Sequence, residues 1–460
     1  MISIISDIHL SDGTTSFNVH KEAFLNVFKN NILNEVKDNE AKELKIILLG
    51  DIIDFVRTDY WLRILKDERP WNAPKHKLDP TSAMNPDSGL MLKHYSAVLN
   101  SIFAHESTIG FFQALNEIKD TIGGSIPVEI HYVVGNHDRI LNCLPSLQDA
   151  IKSKLSSYAS NEVIFRNEFR DTSDYSILCR HGHEFDENNY GREVYAYLNG
   201  EDADEINRFK AELYKVQSIG EVITAELMSG LIYRLNKLKA NSEFINAVKD
   251  INNIRPMTDA FIWLYWYGKE QTKKNKGLLM KAFRESLQAV IDSSLGVAWD
   301  NIIKEFWYFR GDITDRFEQL LGLVEDKRFD DVASLVETIK PVFSFFSGKG
   351  LDDYAKGAKS AFASGAAPDI QYVVMGHTHE ALTLYFKGDI DDRVNMYINT
   401  GTYLPFIERV RESPVVSFVN ANQLTLLNIY RRDEDLNNGK KNKYPTMDLW
   451  NGIKRKSYNK

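Results

Sequence analysis

Five times along this chain, a short apolar run stops at side chains that can bind metal. Met1 to Ser6 runs into Asp7-Ile8-His9, and Leu44 to Leu49 into Gly50-Asp51-Ile52-Ile53-Asp54. Val128 to Val134 runs into Gly135-Asn136-His137-Asp138. Tyr175 to Cys179 runs into Arg180-His181-Gly182-His183, and Ile370 to Met375 into Gly376-His377-Thr378-His379. Continuous apolar runs of this length suit strands buried on both faces. In layered α/β folds, sites gather outside the C-terminal ends of strands. A sheet that aligns these ends brings the polar clusters together.

The runs also divide the chain. Residues 1–187 read as strands alternating with helices, for example the helical spacing of Phe24, Val27, Phe28, Ile32 and Leu33. Residues 188–368 are rich in Leu, Lys, Glu and aromatics at three- and four-residue steps, which predicts an inserted all-α subdomain. Residues 369–435 return to strand patterns. Leu382–Phe386 and Arg393–Ile398 flank Lys387-Gly388-Asp389, and Val415–Val419 and Gln423–Tyr430 flank Asn420-Ala421-Asn422, both hairpin signals. Residues 436–460 are polar and basic, which reads as a solvated or frayed tail.

Composition removes several function classes. With 460 residues, 43% hydrophobic and 26% charged, the chain is globular rather than disordered. Its net charge of −8 offers no overall attraction for nucleic acid or an anionic membrane, so any such contact must be a local patch. Two cysteines, Cys143 and Cys179, read as buried thiols of a reducing compartment. The first residues lack a basic segment, and Asp7 interrupts the apolar run, so no signal peptide is expected. No run approaches the ~18 apolar residues of a membrane span. These features predict a soluble, cytoplasmic protein.

Taken singly, each polar cluster has a bland explanation: a turn, a helix cap or a satisfied core histidine. In order and each past a strand, they point to metal chemistry. Divalent ions of intermediate hardness accept imidazole, carboxylate and amide-oxygen ligands together. A carboxylate can bridge two cations about 3.5–4 Å apart, and the pair can activate water and polarise a phosphoryl group. On an extended segment, Asp7 and His9, like His377 and His379, would share one face.

The five clusters resemble those of the calcineurin-like metallophosphoesterase superfamily: Asp-x-His, Gly-Asp-x-x-Asp, Gly-Asn-His-Asp/Glu, His, and Gly-His-x-His. The resemblance covers about half the chain, residues 1–187 and 369–430. It implies a four-layer αββα sandwich with a binuclear metal centre. Asp7, His9, Asp51 and His379 would hold one metal; Asp51, Asn136, His181 and His377 would hold the other, with Asp51 bridging. His137 would protonate the leaving alkoxide or stabilise the phosphoryl oxygens, and Asp138 would orient it. Asp54 would be an outer acceptor, and His183 an outer partner or a substitute for His181. Asn399-Thr400-Gly401-Thr402 is similar to the small-residue loop that follows the last motif in many members.

Two departures bear on substrate. Protein Ser/Thr phosphatases place an Arg directly after the second Asp of Gly-Asp-x-x-Asp; Phe55 stands there. His181 to Asp186 resembles the corresponding stretch of bacterial UDP-diacylglucosamine pyrophosphohydrolases, which carry a helical lid after it, though the 188–368 insertion is far longer. Trp263, Trp266, Trp307, Tyr265, Tyr267 and Phe309 would be the insertion's own core or a lid over the metals, and Arg255, Arg310 and Lys269 could meet phosphate.

The expected function is hydrolysis of a phosphomonoester or phosphodiester by a hydroxide bridging two divalent metal ions. Manganese is the first choice, with iron or zinc in one position as alternatives. The substrate would be a phosphoester, with a nucleotide or nucleotide-linked group among the candidates. Competing readings are a manganese-dependent nuclease acting on DNA or RNA, and a non-catalytic scaffold that binds a partner through the helical insertion.

Overall fold

All five apolar runs form strands, because residues that alternate between two apolar layers need no polar face. The computed structural model describes residues 1–72, 89–255, 259–302, 351–363, 370–388, 393–410, 416–436 and 439–457. Its strands are β1 (Ile2–Ile5), β2 (Leu44–Leu49), β3 (Val128–Val133), β4 (Val163–Arg166), β5 (Glu168–Asp171), β6 (Ile177–Arg180) and β7 (Ile254–Arg255). They continue with β8 (Tyr372–Met375), β9 (Ala381–Lys387), β10 (Val394–Thr400), β11 (Tyr403–Arg409), β12 (Phe418–Tyr430) and β13 (Thr446–Ser457).

The strands build two sheets in a mixed α/β structure. The larger has the order β4-β3-β2-β1-β12-β11-β7, with β13 also paired to β12; the smaller has the order β5-β6-β8-β10-β9. Strands β1 to β4 run parallel, so β1, β2 and β3 end on the same side. In the smaller sheet, β6, β8 and β10 are likewise parallel. Between the sheets lie Ile2, Ile4, Ile47, Leu49 and Val133 of one, and Ile177, Cys179, Tyr372, Val374 and Ile398 of the other. The alternate residues Ile5, Ile46, Leu48, Ile130 and Tyr132 join a second apolar core with Phe24, Phe28, Leu99 and Phe111. Each such buried side chain contributes about 1.5–3 kcal/mol.

Three sequence expectations change. Asn420-Ala421-Asn422 does not turn. It lies inside β12, where Ile407, Phe406 and Pro405 of β11 pair on one side and Lys456 to Lys454 of β13 on the other. Ladder pairing on both sides holds these turn-prone residues extended.

The basic end is not a frayed tail. Thr446–Ser457 pairs with β12 along its length, and Met447 and Leu449 pack on the core between the sheets. Its apolar alternation is short and was masked by neighbouring charges.

The insertion is not a separate all-α unit. Its described residues do include helices Arg192–Asn199, Gly230–Lys237, Ser242–Val248, Ala260–Lys269, Lys273–Ile291, Ser294–Ile302 and Leu351–Ala363. However, Leu231, Trp263, Phe283 and Trp299 share one core with Phe55, Trp61 and Leu99. Strand β7 pairs with β11, and helix Leu351–Ala363 sets Tyr354 and Ala358 against Val373, Met375 and Tyr397 on the outer face of the smaller sheet. Amphipathic helices bury their apolar stripes on the nearest apolar surface, and here that surface is the body of the protein. Trp263 and Trp299 are fully buried, so they serve the core; Trp307, Phe309 and Arg310 lie outside the described residues. No helix among the described residues is long and apolar enough to cross a membrane.

Candidate metal centre

The loops after β1, β2, β3, β6 and β8 converge. Asp7, His9 and His379 form one group whose ligand-capable atoms lie within 4.8 Å of one another. Asp51, His181 and His377 form a second. Asp51 joins them: its Oδ2 lies 3.6 Å from His9 Nε2 and 3.4 Å from His181 Nε2. Asn136 Oδ1 lies 3.2 Å from His181 Nε2. All seven residues expected as ligands therefore sit in one cluster, most of them fully buried.

The backbone achieves this differently from an extended strand. Asp7 (φ 50°), His9 (φ 48°), Asp51 (φ 53°), His377 (φ 70°) and His379 (φ 60°) are all left-handed. Such conformations cost about 1–3 kcal/mol each outside glycine, and they concentrate at functional sites. Cross-loop hydrogen bonds hold them: Asp7 N–H donates to Gly50 O at 3.1 Å, and His9 N–H to Asp51 O at 2.8 Å. His377 N–H donates to the Asp7 carboxylate at 3.0 Å.

Three glycines permit the crowding. A Cβ on Gly50 would strike the His181 ring, one on Gly135 would strike Asp51, and one on Gly376 would strike Asp7 and Ser6. The small residues after β10 brace the same place. Asn399 Nδ2 donates to Gly376 O at 2.7 Å, and Thr402 Oγ1 to Asp7 O at 2.8 Å.

Hydrogen bonds decide which imidazole nitrogen is free. His9 Nδ1 lies 2.8 Å from Asp54 Oδ2, so its proton sits there and Nε2 keeps a lone pair for the cluster. His181 Nδ1 donates to Leu49 O at 2.9 Å, which turns Nε2 toward Asp51. His377 Nε2 lies 3.1 Å from Asp186 Oδ2, which leaves Nδ1 as its lone-pair nitrogen. Asp186 was not singled out from the sequence; its only signal was its place at the end of His181-Gly182-His183-Glu184-Phe185-Asp186.

The charges would suit a bound cation. Burial alone would raise Asp51, but His181 and His137 hold its carboxyl well below the usual range. Burial pushes Asp7 up to about 6. Burial opposes a charge on His181, but Asp51 and Asp7 carry it up to about 10. That proton supplies the positive charge two buried carboxylates otherwise lack. Burial and Arg57 bring His9 down to about 3, and burial and Arg255 bring His379 well below its ordinary range. Neutral imidazoles beside carboxylates, with an amide oxygen and no thiolate, suit divalent ions of intermediate hardness.

Asp138 does not orient His137. It accepts from Tyr132 OH at 2.6 Å, Ile52 N–H at 3.0 Å and Gly135 N–H at 2.5 Å, tying the loop after β3 to the loop after β2. The carboxylate beside His137 is Asp54, whose Oδ2 is 3.0 Å from His137 Nδ1. Burial disfavours the His137 cation, but Asp54 and Asp51 outweigh it and raise its pKa. A small cavity lined by Phe55, Trp61, Trp71, Tyr95 and Arg139 borders Asn136 and His137.

His183 is not in either ligand group but packs beside one, its ring 5.3 Å from that of His181. It is buried with its ring against Tyr190 (5.2 Å) and Tyr214 (5.6 Å). Arg255 of β7 does reach the site: its Nε and Nη2 lie 3.1 and 3.0 Å from His379 Nδ1. Lys269 is at the exposed end of its helix. No family model matches this chain, and no curated protein sequence matches it significantly.

Proposed function

We propose that this protein is a metal-dependent phosphoesterase of the calcineurin-like kind, with a four-layer αββα body. One observation carries the reading: a single buried carboxylate oxygen of Asp51 lies between the Nε2 atoms of His9 and His181, at 3.6 and 3.4 Å. Asp7, His9, Asp51 and His379 would hold one cation, and Asp51, Asn136, His181 and His377 the other. When bound, two divalent ions lower the pKa of water and polarise a phosphoryl group. Manganese is the proposed metal, with iron or zinc as alternatives for one position.

The chain's own groups supply the rest. His137, whose pKa Asp54 and Asp51 raise against the effect of burial, would give its proton to the departing alkoxide. The buried setting strengthens each electrostatic contact relative to water. The substrate is a phosphomonoester or phosphodiester.

Purified protein with Mn²⁺ should hydrolyse bis-p-nitrophenyl phosphate or p-nitrophenyl phosphate, and Asp51→Asn should abolish turnover. Persistent activity in Asp51→Asn would sink the bridging role. Incubation with single- and double-stranded DNA separates a nuclease from an esterase of small substrates.

A further inference from the structure

Arg255 belongs to the 188–368 insertion, yet it touches the proposed metal centre. Strand β7 pairs Ile254 with Ile407 and Arg255 with Glu408 of β11. Strand β11 begins at Tyr403, whose N–H reaches Asp7 O at 3.4 Å. The same segment clamps the loop after His9: Asn252 Nδ2 donates to Thr15 O at 2.8 Å, and Lys249 Nζ to Gly13 O at 3.0 Å. The guanidinium is therefore held at the site by a paired strand and two tethers to the His9 loop.

Its hydrogen bonding is at odds with metal ligation. A guanidinium has only donors, so His379 Nδ1 must accept both of its N–H groups. A neutral His379 then carries its proton on Nε2, the nitrogen that lies 3.4 Å from Asp7 Oδ1 and 3.1 Å from His9 Nε2. A cation held by Nε2 needs that proton moved to Nδ1, and an Nδ1–H repels two donors. Arg255 must then turn away from the ring.

Among the described residues the guanidinium has no paired carboxylate, and Asp7, the carboxylate that most stabilises its charge, is itself an expected metal ligand. Its other hydrogen bonds, from Nη1, go to the backbone carbonyls of Asn252 and Ile254, and among the described residues it makes no ion pair with a carboxylate. Arg57 is close enough to repel it and is itself 3.2 Å from Asp54 Oδ2, a carboxylate already shared with His9 and His137. Arg57 thus has Asp54 beside it, whereas Arg255 stands at the rim of the cluster with only backbone carbonyls and an imidazole as hydrogen-bond partners. Planar N–H pairs match phosphoryl oxygens better than any other cationic side chain.

We infer that Arg255 is the anion receptor of this site: it leaves His379 when the metal centre fills and donates to a non-bridging oxygen of the substrate's phosphoryl group. This rests on the proposed phosphoesterase reading and assigns the insertion a direct role in substrate binding. The step is a change of hydrogen-bond partners, with one proton passing from Nε2 to Nδ1 of His379 and none gained or lost by Arg255.

The test uses the full chain, calorimetric titration with Mn²⁺, and inorganic phosphate as the probe at saturating Mn²⁺. Arg255→Met should weaken phosphate binding at least tenfold and raise KM for p-nitrophenyl phosphate. It should leave Mn²⁺ affinity unchanged or tighter, because a competitor for Nδ1 has gone. Arg255→Lys should restore part of the phosphate affinity. Unchanged phosphate affinity in Arg255→Met overturns the inference. So does a tenfold loss of Mn²⁺ affinity with phosphate binding intact, which would make Arg255 a support for His379. Wild-type protein that binds no Mn²⁺ would instead remove the proposed function, and this inference with it.

Discussion

Asp54 Oδ2 lies 3.0 Å from His137 Nδ1, and the same oxygen lies 2.8 Å from Nδ1 of His9. One carboxylate thus hydrogen-bonds an expected ligand and stands beside the expected acid. Its other oxygen accepts the N–H groups of Val56 and Arg57 at 2.9 and 2.8 Å, which fixes its plane. Burial alone would raise its pKa, but His137 and His9 keep it well below the usual range.

Asp54→Asn should therefore damage both functions at once. An amide in its place sets an N–H₂ or a weaker acceptor against two imidazoles. Metal affinity should fall by about 10–100-fold, the usual consequence of losing an outer partner of a metal-binding histidine. Metal titration together with kcat checks this. A variant with wild-type affinity and turnover would show that Asp54 serves the fold alone.

His137→Ala separates chemistry from metal binding. Turnover should drop by about 10²–10⁴-fold while both metals stay bound, as expected for loss of a positioned proton donor. The drop should shrink for p-nitrophenolate, a leaving group that needs less protonation than an alkyl alkoxide. Loss of a metal in this variant would make His137 a ligand.

Truncation before Thr446 tests the reassigned C-terminal segment. A solvated tail could be removed without effect. Strand β13 instead covers the inter-sheet core through Met447 and Leu449 and pairs with β12 throughout. Losing those two side chains should cost about 2–4 kcal/mol, discounted because both are only partly buried. A thermal melt followed by circular dichroism reads the shift; an unchanged midpoint would return the segment to a passive tail.

His131 predicts an acid-sensitive core away from the proposed metal site. It is buried against Phe169, with ring centroids 4.8 Å apart, and neither ring nitrogen has a hydrogen-bond partner. Burial, then Arg166 and Lys45, bring it from 6.5 down to about 3. Glu129 Oε2 is 3.3 Å away but partly exposed, so solvent screens its pull. Between pH 6.5 and about 3, the unfolded chain binds a proton that the folded chain refuses. Stability contributed here is complete above pH 6.5 and declines as pH falls through that window, by on the order of a few kcal/mol. His131→Phe should flatten the acid side of a stability–pH curve measured by urea unfolding. Parallel curves for variant and wild type would refute this.

Much of the site was legible because its signals are local. An apolar run followed by Gly-Asp, Gly-Asn-His or Gly-His reads directly as a strand and its exit loop, and Gly50, Gly135 and Gly376 stand where a Cβ would collide with a neighbouring site residue. What misled was partner choice. Asp138 adjoins His137 in sequence, but it faces Tyr132 and Ile52, while Asp54 arrives from another loop. Asn420-Ala421-Asn422 has turn residues, yet two flanking strands hold it straight.

Residue order alone determined that the five runs before the polar clusters are strands and which ligand types follow them, because backbone period and side-chain chemistry are carried within a few neighbouring residues. Only the tertiary structure decided that Asp51 reaches both His9 and His181, that Asp54 rather than Asp138 serves His137, and that Arg255 of the insertion meets His379. Those relationships depend on which strand ends lie side by side and on left-handed turns at Asp7, Asp51 and His379, and packing across hundreds of residues sets both.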